Sequence, residues 1–295
     1  MSRRKPPLVH GLLVVDKPAG VTSHDVVAQL RRRLGERRIG HSGTLDPDAT
    51  GVMLVGVGRV TRVLRFLTAL GKTYTGEVVF GTATSTLDSS GEVTGTYTMT
   101  DLSLERVQAA AAGLTGHIMQ VPPMVSALKV DGKRLHELAR EGIEIERRPR
   151  PVTVYSFEVR PTHDPMVFGV TIRCSAGTYI RTLAADLGSL LGGGAHLRAL
   201  RRTAVGSFTE AEAASPDDCE LLPARIALRD YSGVAVNAET ADLVAHGRVL
   251  DRVPGPGGVE FAGDGPWAVL DEQGELLAVY ESFGERAAKP AVVLA

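Results

Sequence analysis

The sequence predicts an α+β body followed by a small, mostly β module, and three observations carry that reading. Strand-like and helix-like segments are mixed along the chain. The 295 residues are 43% apolar and 23% charged, enough to bury one large core with a smaller one beside it. Charge then divides the chain. Residues 1–208 hold 27 Lys and Arg against 18 Asp and Glu, whereas residues 209–295 hold 6 against 16. Such asymmetry implies two units, the basic one facing a polyanion.

The elements follow in order. Residues 10–16 (HGLLVVD) read as a strand, and KPAG as the turn after it. Thr22 or Ser23 caps a helix reaching about Leu34, with Asp25 in its first turn, arginines near its end and Gly35 closing it. GHSGTLDPDATG (40–51) is a polar loop. Val60, Val63, Leu64 and Leu67 are spaced as one face of a short helix. Residues 72–80 alternate as a strand with Tyr74, Gly76, Val78 and Phe80 on one face, and 82–92 form a loop. Residues 104–114 are an alanine-rich helix. From Pro122 to Pro151 the chain is basic, short of large apolar residues and helix-prone only at 135–140, an excursion from the core. Strands are expected at 152–160, 167–174 and 200–208, and a helix at 179–191. Residues 215–230 read as a linker. Beyond it come a short helix at 238–246, a Pro/Gly-rich stretch at 254–266 and strands at 267–270 and 276–280. The expected units are 1–230, with an insertion at about 122–150, and 231–295.

Composition excludes several classes. Two cysteines, Cys174 and Cys219, make no disulfide framework, and no Cys/His cluster has zinc-ligand spacing. The N-terminus fails as a signal peptide, and no run of eighteen apolar residues is present, so a soluble cytoplasmic protein without membrane contact is expected. Basic clusters at Arg3–Lys5, 31–38, 129–150 and 198–202 suggest a nucleic-acid footprint, although any one of them alone reads as a solvated face.

Three motifs could carry chemistry: Asp46 and Asp48 in the glycine-bounded loop, Lys72-Thr-Tyr74 on a strand, and AGTYIR (176–181) entering a helix. Each has a bland alternative, respectively an Asp-Pro turn, a strand aromatic and an ordinary helix start. Asp46-x-Asp48-x-Thr50 matches the DxDxT of aspartyl-phosphate phosphatases, but no apolar strand run precedes it. GHSG lacks the second glycine of a nucleophile elbow, and neither a dinucleotide fingerprint nor a P-loop is present. What survives is carboxylate chemistry with no cofactor and no metal, on a nucleic-acid substrate.

Taken together, DKPAGVTSHDVV (16–27), GHSGTLDPDATGVMLVGVGRVTR (40–62), KTYTGEVVFGTATSTLDSSG (72–91), VPPMVSALKVDGKRLHELAREG (121–142), CSAGTYIRTLAADLG (174–188) and GAHLRALRRTAVGSF (194–208) resemble the bacterial tRNA pseudouridine-55 synthase family of TruB type. The resemblance implies a mixed, mostly antiparallel sheet flanked by helices and loops, with a small PUA-like RNA-binding domain behind it. It also implies an isomerase of tRNA acting on a T-loop uridine of the T arm as a monomer, needing no cofactor. Asp46 would be the catalytic aspartate and Arg181 its ion-pair partner, which by itself would lower the aspartate's pKa. Tyr179 would lie beside the sugar and base edge as a proton acceptor. Tyr74 would stack on the extruded uracil, His41 would fill the vacated stack and Leu200 would line the pocket. Lys17, counted with the substrate-binding residues, would support the catalytic loop. The segment 122–150 would be a thumb that closes on RNA. Asp48, where the family has leucine, and His136, where it has tyrosine, depart from the pattern. A non-catalytic RNA chaperone is the competing class, and the presence of Asp46, Tyr74, Tyr179 and Arg181 together weighs against it.

Overall fold

Four consecutive apolar residues in Gly11–Lys17 (β1) require cover on both faces of the strand. The computed structural model supplies it; the structure describes residues 9–126, 129–130, 133–134, 143, 145–252 and 259–294. Leu12 and Val14 pack with Val52 and Leu54 of β3 (Thr50–Val57) and with Val60, Phe66 and Leu67. Leu13 and Val15 turn the other way, onto Val26, Val27 and Leu30 of helix α1 (Ser23–Leu34). Thr22 caps α1 in a reciprocal capping box with Asp25, and Gly35 ends it in the left-handed conformation at φ 62°. Because Thr22 takes the cap, the hydroxyl of Ser23 is left for another task.

Nine strands form the main sheet, in the order β1-β3-β12-β4-β11-β10-β7 with β2 and β13 attached to β3 and β12. The strands are β2 (Ile39–His41), β4 (Lys72–Phe80), β7 (Gly116–Gln120), β10 (Arg150–Pro161), β11 (Val167–Cys174), β12 (Ala195–Val205) and β13 (Phe208–Thr209), and β5 (Thr82–Thr84) pairs with β6 (Val93–Thr96) beside it. Within this sheet every strand pairing is antiparallel except the short parallel seam where Arg201 and Arg202 of β12 meet Thr50 and Gly51 of β3. Helices α3 (Leu104–Gly113) and α4 (Ile180–Leu190) cover the β4, β10 and β11 end of the sheet. The helix expected around residues 60–67 begins as a 3-10 turn, Gly58–Val63, and continues as α2 (Leu64–Ala69). In the excursion, β8 (Lys129–Val130) pairs with β9 (Lys133–Arg134). The helix expected at 135–140, and His136, lie outside the described residues.

Residues 215–230 are not a linker. Ala214 and Leu222 bridge to Val15 and Leu12 of β1, Ala227 and Leu228 are buried in the same cluster, and the Asp230 carboxylate accepts from the Ser207 N–H. The polar composition hid this, because two small buried patches are enough to bind the stretch to the body.

The last five strands, β14 (Ser232–Ala235), β15 (Leu250–Asp251), β16 (Trp267–Leu270), β17 (Leu276–Phe283) and β18 (Ala287–Val293), form a second sheet in the order β14-β16-β17-β18-β15, with α5 (Ala238–Ala245) against it. Trp267 and Tyr280 fill its own core, their polar ends donating to the carbonyls of Ala262 and Arg248. Its other face carries Ala268, Leu276 and Val279, which join the cluster holding Leu12, Leu54 and Phe66. The two sheets therefore share a core and should unfold together. Leu276→Ala is expected to cost about 2–5 kcal/mol and to lower a single calorimetric transition; a separate, earlier C-terminal transition would contradict the shared core.

Candidate active site

Asp46 stands in the loop between β2 and β3, and nearly every neighbour in that loop is tied down. Ser42 N–H donates to the Leu54 carbonyl (3.0 Å). The buried Ser23 hydroxyl accepts from Leu45 N–H (3.0 Å) and returns a bond to the Leu45 carbonyl (3.2 Å). The Pro47 carbonyl accepts from Lys17 Nζ (2.9 Å) and from Gly20 N–H (3.0 Å). The Gly43 carbonyl accepts from Arg202 Nη2 (3.3 Å), while Arg202 Nε holds the Val52 carbonyl of β3 (2.7 Å). Arg202 is 1% exposed, and the strands meet so closely above it that a Cβ at Gly51 (φ +104°) would stand 2.2 Å from the Arg202 carbonyl oxygen. With its neighbours held, Asp46 projects alone.

Arg181, in the first turn of α4 and 4% exposed, meets it. Its Nε lies 3.0 Å from Asp46 Oδ2 and its Nη2 donates to Oδ1 at 3.2 Å, a two-point contact that fixes the carboxylate plane. The same Nε also lies 3.5 Å from Asp88 Oδ2, while Nη1 and Nη2 donate to the carbonyls of Thr86 and Val125 (2.8 Å each). Asp88 is itself oriented by Thr86 Oγ1, Ser90 Oγ and Ser90 N–H.

Two cavities meet at this ion pair. The larger, about 340 Å³, is lined by Tyr74, Tyr179, Lys72, Ser126 and Arg202; a smaller one of about 170 Å³ is lined by Asp88, Ser89, Ser90 and Ala199. Asp46, Arg181 and Leu200 face both. Leu200 reaches this position because β12 breaks register between Arg198 and Arg201, with Ala199 left-handed at φ 51°. Tyr74 lies opposite Arg202 on β12, which hydrogen-bonds its hydroxyl. Tyr179 caps α4 and is held from both sides by the amide of buried Gln120, which accepts from Tyr179 N–H (2.7 Å) and donates to its carbonyl (3.1 Å). Lys72 binds the carbonyls of Thr68 and Leu70 at the end of α2, and burial brings its ammonium down to about 8.

The structure thus brings Asp46, Arg181, Tyr74, Tyr179 and Leu200 together. It does not place Lys17 among groups that can touch a substrate: fully buried, its ammonium bonds the Pro18 and Pro47 carbonyls, so it is a prop for the loop and not a binding residue. His41 is half-buried and packs edge-to-face on His24 at 5.7 Å, outside the lining of either cavity. Asp48 is exposed beside Asp46. Asp46 lies in a loop and does not end a buried strand, which removes the phosphatase reading. Asp88, Gln120 and Arg202 were missed from the sequence. Asp88 sits in TSTLDSSG, a motif whose turn residues around an acid were the available signal. Among the described residues no cluster of three His, Cys, Asp or Glu could hold a metal ion.

An ion pair alone would lower the Asp46 carboxyl, yet the net shift is upward. Burial is the largest cause and Asp88 adds to it, while Arg181 and Lys17 oppose. Burial likewise raises the phenols of Tyr74 and Tyr179 and lowers the His41 imidazole.

Residues 31–180 match the model of the TruB family pseudouridylate synthase N-terminal domain, and residues 181–224 that of the tRNA pseudouridylate synthase B C-terminal domain. Proteins named tRNA pseudouridine synthase B from Nocardia farcinica and Streptomyces coelicolor are 45% and 43% identical, covering 99% and 96% of this chain and 95% and 96% of their own. Among solved structures, a Cbf5-Nop10-Gar1 complex gives a TM-score of 0.73 at 25% identity, over 97% of this chain and 85% of the other. An H/ACA RNP bound to a substrate RNA containing 2'-deoxyuridine gives 0.72 at 24%, over the same shares, and supports the fold. The chain belongs to the TruB pseudouridylate synthase family.

Because the folded pKa of Asp46 is raised, its contribution to stability is full below the unfolded pKa and is lost as pH rises through the folded one. Asp46→Asn should therefore raise the melting temperature at pH 7, with the gain fading as the pH falls toward 4. Thermal melts across that range check it; a variant less stable than wild type at pH 7 would show that the ionised carboxylate stabilises the fold.

Proposed function

We propose that this chain is a tRNA pseudouridine synthase that isomerises the T-loop uridine of the T arm, with Asp46 as its catalytic carboxylate. The observation that supports this most is the Asp46–Arg181 pair on the wall of a cavity bordered by Tyr74 and Tyr179. Incubation with an unmodified tRNA transcript, followed by mapping of pseudouridine, tests it directly.

The reaction breaks the N1–C1′ bond, forms a C5–C1′ bond and moves the C5 proton away as N1 gains one, so nothing is oxidised or reduced. A base inside a folded RNA loop must be flipped out before any side chain reaches it. His41 fills the gap it leaves, and the base enters the larger cavity against the ring of Tyr74. Three steps are open to the Asp46 carboxylate: attack at C1′, addition at C6 or removal of a sugar proton. Each requires it ionised. Arg181 serves by opposing the upward pull of burial and of Asp88. The Tyr179 phenol, which burial raises further, is neutral at physiological pH, so it accepts the late proton only as it passes its own onward. The enzyme acts as a cytoplasmic monomer, and no helix among the described residues is long and apolar enough to cross a membrane. The division into a body ending near residue 230 and a PUA-like unit from 231 belongs to the same reading.

Asp46→Asn should abolish pseudouridine formation while leaving tRNA affinity within a few-fold, since the amide keeps the shape and loses the ionised oxygen. Arg181→Lys should move the acid limb of the pH–rate profile to higher pH, because weakening the contact that lowers the Asp46 pKa lets it rise further. An unshifted limb would detach Arg181 from that role.

At Tyr74 the ring and the hydroxyl can be separated. Tyr74→Phe should keep most single-turnover activity on a T-arm stem-loop, whereas Tyr74→Leu should lose the roughly 1–3 kcal/mol of one base–aromatic stack. Tyr179→Phe should fail at the chemical step. Equal failure of Tyr74→Phe and Tyr179→Phe would give the Tyr74 hydroxyl a chemical task and end the stacking role.

A further inference from the structure

Strand β10 carries one residue more than β11 between two paired positions. Val154 faces Cys174 and Ser156 faces Arg173, so Tyr155 has no partner in the ladder. An inserted residue of this kind bends its strand and re-aims the side chain it carries. Tyr155 is accordingly 50% exposed, and the Arg173 guanidinium carbon lies 5.5 Å from the centre of its ring. Gly71 sits beneath the ring edge, where a Cβ would stand 3.7 Å from Cε2. Gly71 precedes Lys72 and Cys174 precedes Ser175, and both Lys72 and Ser175 line the larger cavity. The exposed ring therefore stands against residues that adjoin that cavity's lining in sequence.

The charge around it differs from that of several other arginines of the basic clusters. Arg198 is paired with Glu77, and Arg201 with Asp16 and Glu210. Arg202 is buried on two carbonyls, and Arg31 and Arg33 bond the carbonyls of Ile39, Pro216 and Cys219. Among the described residues no carboxylate lies within ion-pair distance of Arg173 or of Arg150, whose charge reaches Tyr179. A flat aromatic face beside a guanidinium that meets no carboxylate among the described residues suits an unpaired nucleotide, whose base stacks while its phosphate meets the cation.

We propose that Tyr155 and Arg173 form a second RNA contact beside the cavity, stacking one unpaired nucleotide of the substrate strand and binding its phosphate. This rests on the proposed function, since it takes RNA as the substrate. The test uses the full chain with an unmodified T-arm stem-loop, measuring affinity by gel shift and the maximal single-turnover rate at saturating enzyme. Tyr155→Leu, which still covers Gly71, should weaken affinity about 5- to 150-fold, the equivalent of about 1–3 kcal/mol of base stacking, at unchanged maximal rate. Tyr155→Phe should bind as wild type does. Arg173→Gln should weaken binding and reduce the slope of log Kd against log salt by about 0.7 to 0.9, one phosphate contact. Wild-type affinity in Tyr155→Leu with an unchanged melting temperature, or Tyr155→Phe as weak as Tyr155→Leu, would overturn the proposal. Wild-type turnover reads the proposed function separately: a chain that binds the RNA but forms no pseudouridine fails that reading and leaves the gel-shift comparison to decide this one.

Discussion

A carboxylate has to stay usable at the wall of a cavity where burial works against its charge, and one buried guanidinium makes that arrangement hold. Arg181 is supplied by a helix, but its acceptors come from three other segments: Asp46 from the β2–β3 loop, Thr86 and Asp88 from the turn after β5, and Val125 from the stretch after β7. Planar geometry with several fixed donors lets one side chain gather all three. A lysine, with a single point charge, could hold Asp46 but could not set the plane of its carboxylate against Asp88.

The other buried cations follow a related logic. Lys17 and Arg202 satisfy donors on backbone carbonyls, Lys17 on Pro18 and Pro47, Arg202 on Val52 and Gly43. A carbonyl satisfies an N–H without cancelling its charge, so the positive field is left for Asp46, and Lys17 does oppose the rise of its pKa. Burying such groups is costly unless every donor is placed. That cost explains why the loop is so tightly held: its carbonyls are the acceptors that the cations need. Rigidity of the loop and the electrostatics of the site arise from the same bonds.

Local pattern revealed much of this. The strand at β1, the capped helix α1, the alternation of β4 and the turn before α4 are set by nearest neighbours, whereas the resemblance of the ordered motifs is what put Asp46, Tyr74, Tyr179 and Arg181 in one site. Contacts made across the sheet were not legible. Arg202 looked like part of a basic surface because nothing near it in sequence says that β3 and β4 close over it. Gln120 lies in β7, a strand with two large apolar residues that owes its form to pairing with β10. Asp88 acts on Asp46 through its own charge and through the shared Arg181, 93 residues further along. In the same way, the upward shift of Asp46 needs burial, which no ion-pair argument from the sequence contains.

The division of charge along the chain also changes meaning once folded. A basic first part and an acidic last part suggest a polyanion for the one and leave the other unexplained. In the structure Arg65 meets Glu281, Arg225 meets Glu275, and Arg59 donates to the Leu294 carbonyl, all along the boundary between the two sheets. Exposed pairs of this kind contribute at most about 1 kcal/mol each, so the shared apolar cluster of Leu12, Phe66, Leu276 and Val279 carries the stability. The charges instead set which faces meet. Part of the asymmetry is thus internal complementarity, and with Arg198, Arg201 and Arg202 also paired or buried, the basic surface left for RNA is smaller than the sequence suggests. Arg150 and Arg173, on β10 and β11, meet no carboxylate among the described residues, and neither do the exposed Arg32, Arg62 and Arg160. Of these, Arg150 acts on Tyr179, so its charge falls at the cavity, where it would orient an incoming strand toward Asp46 while the more distant cations would only attract it.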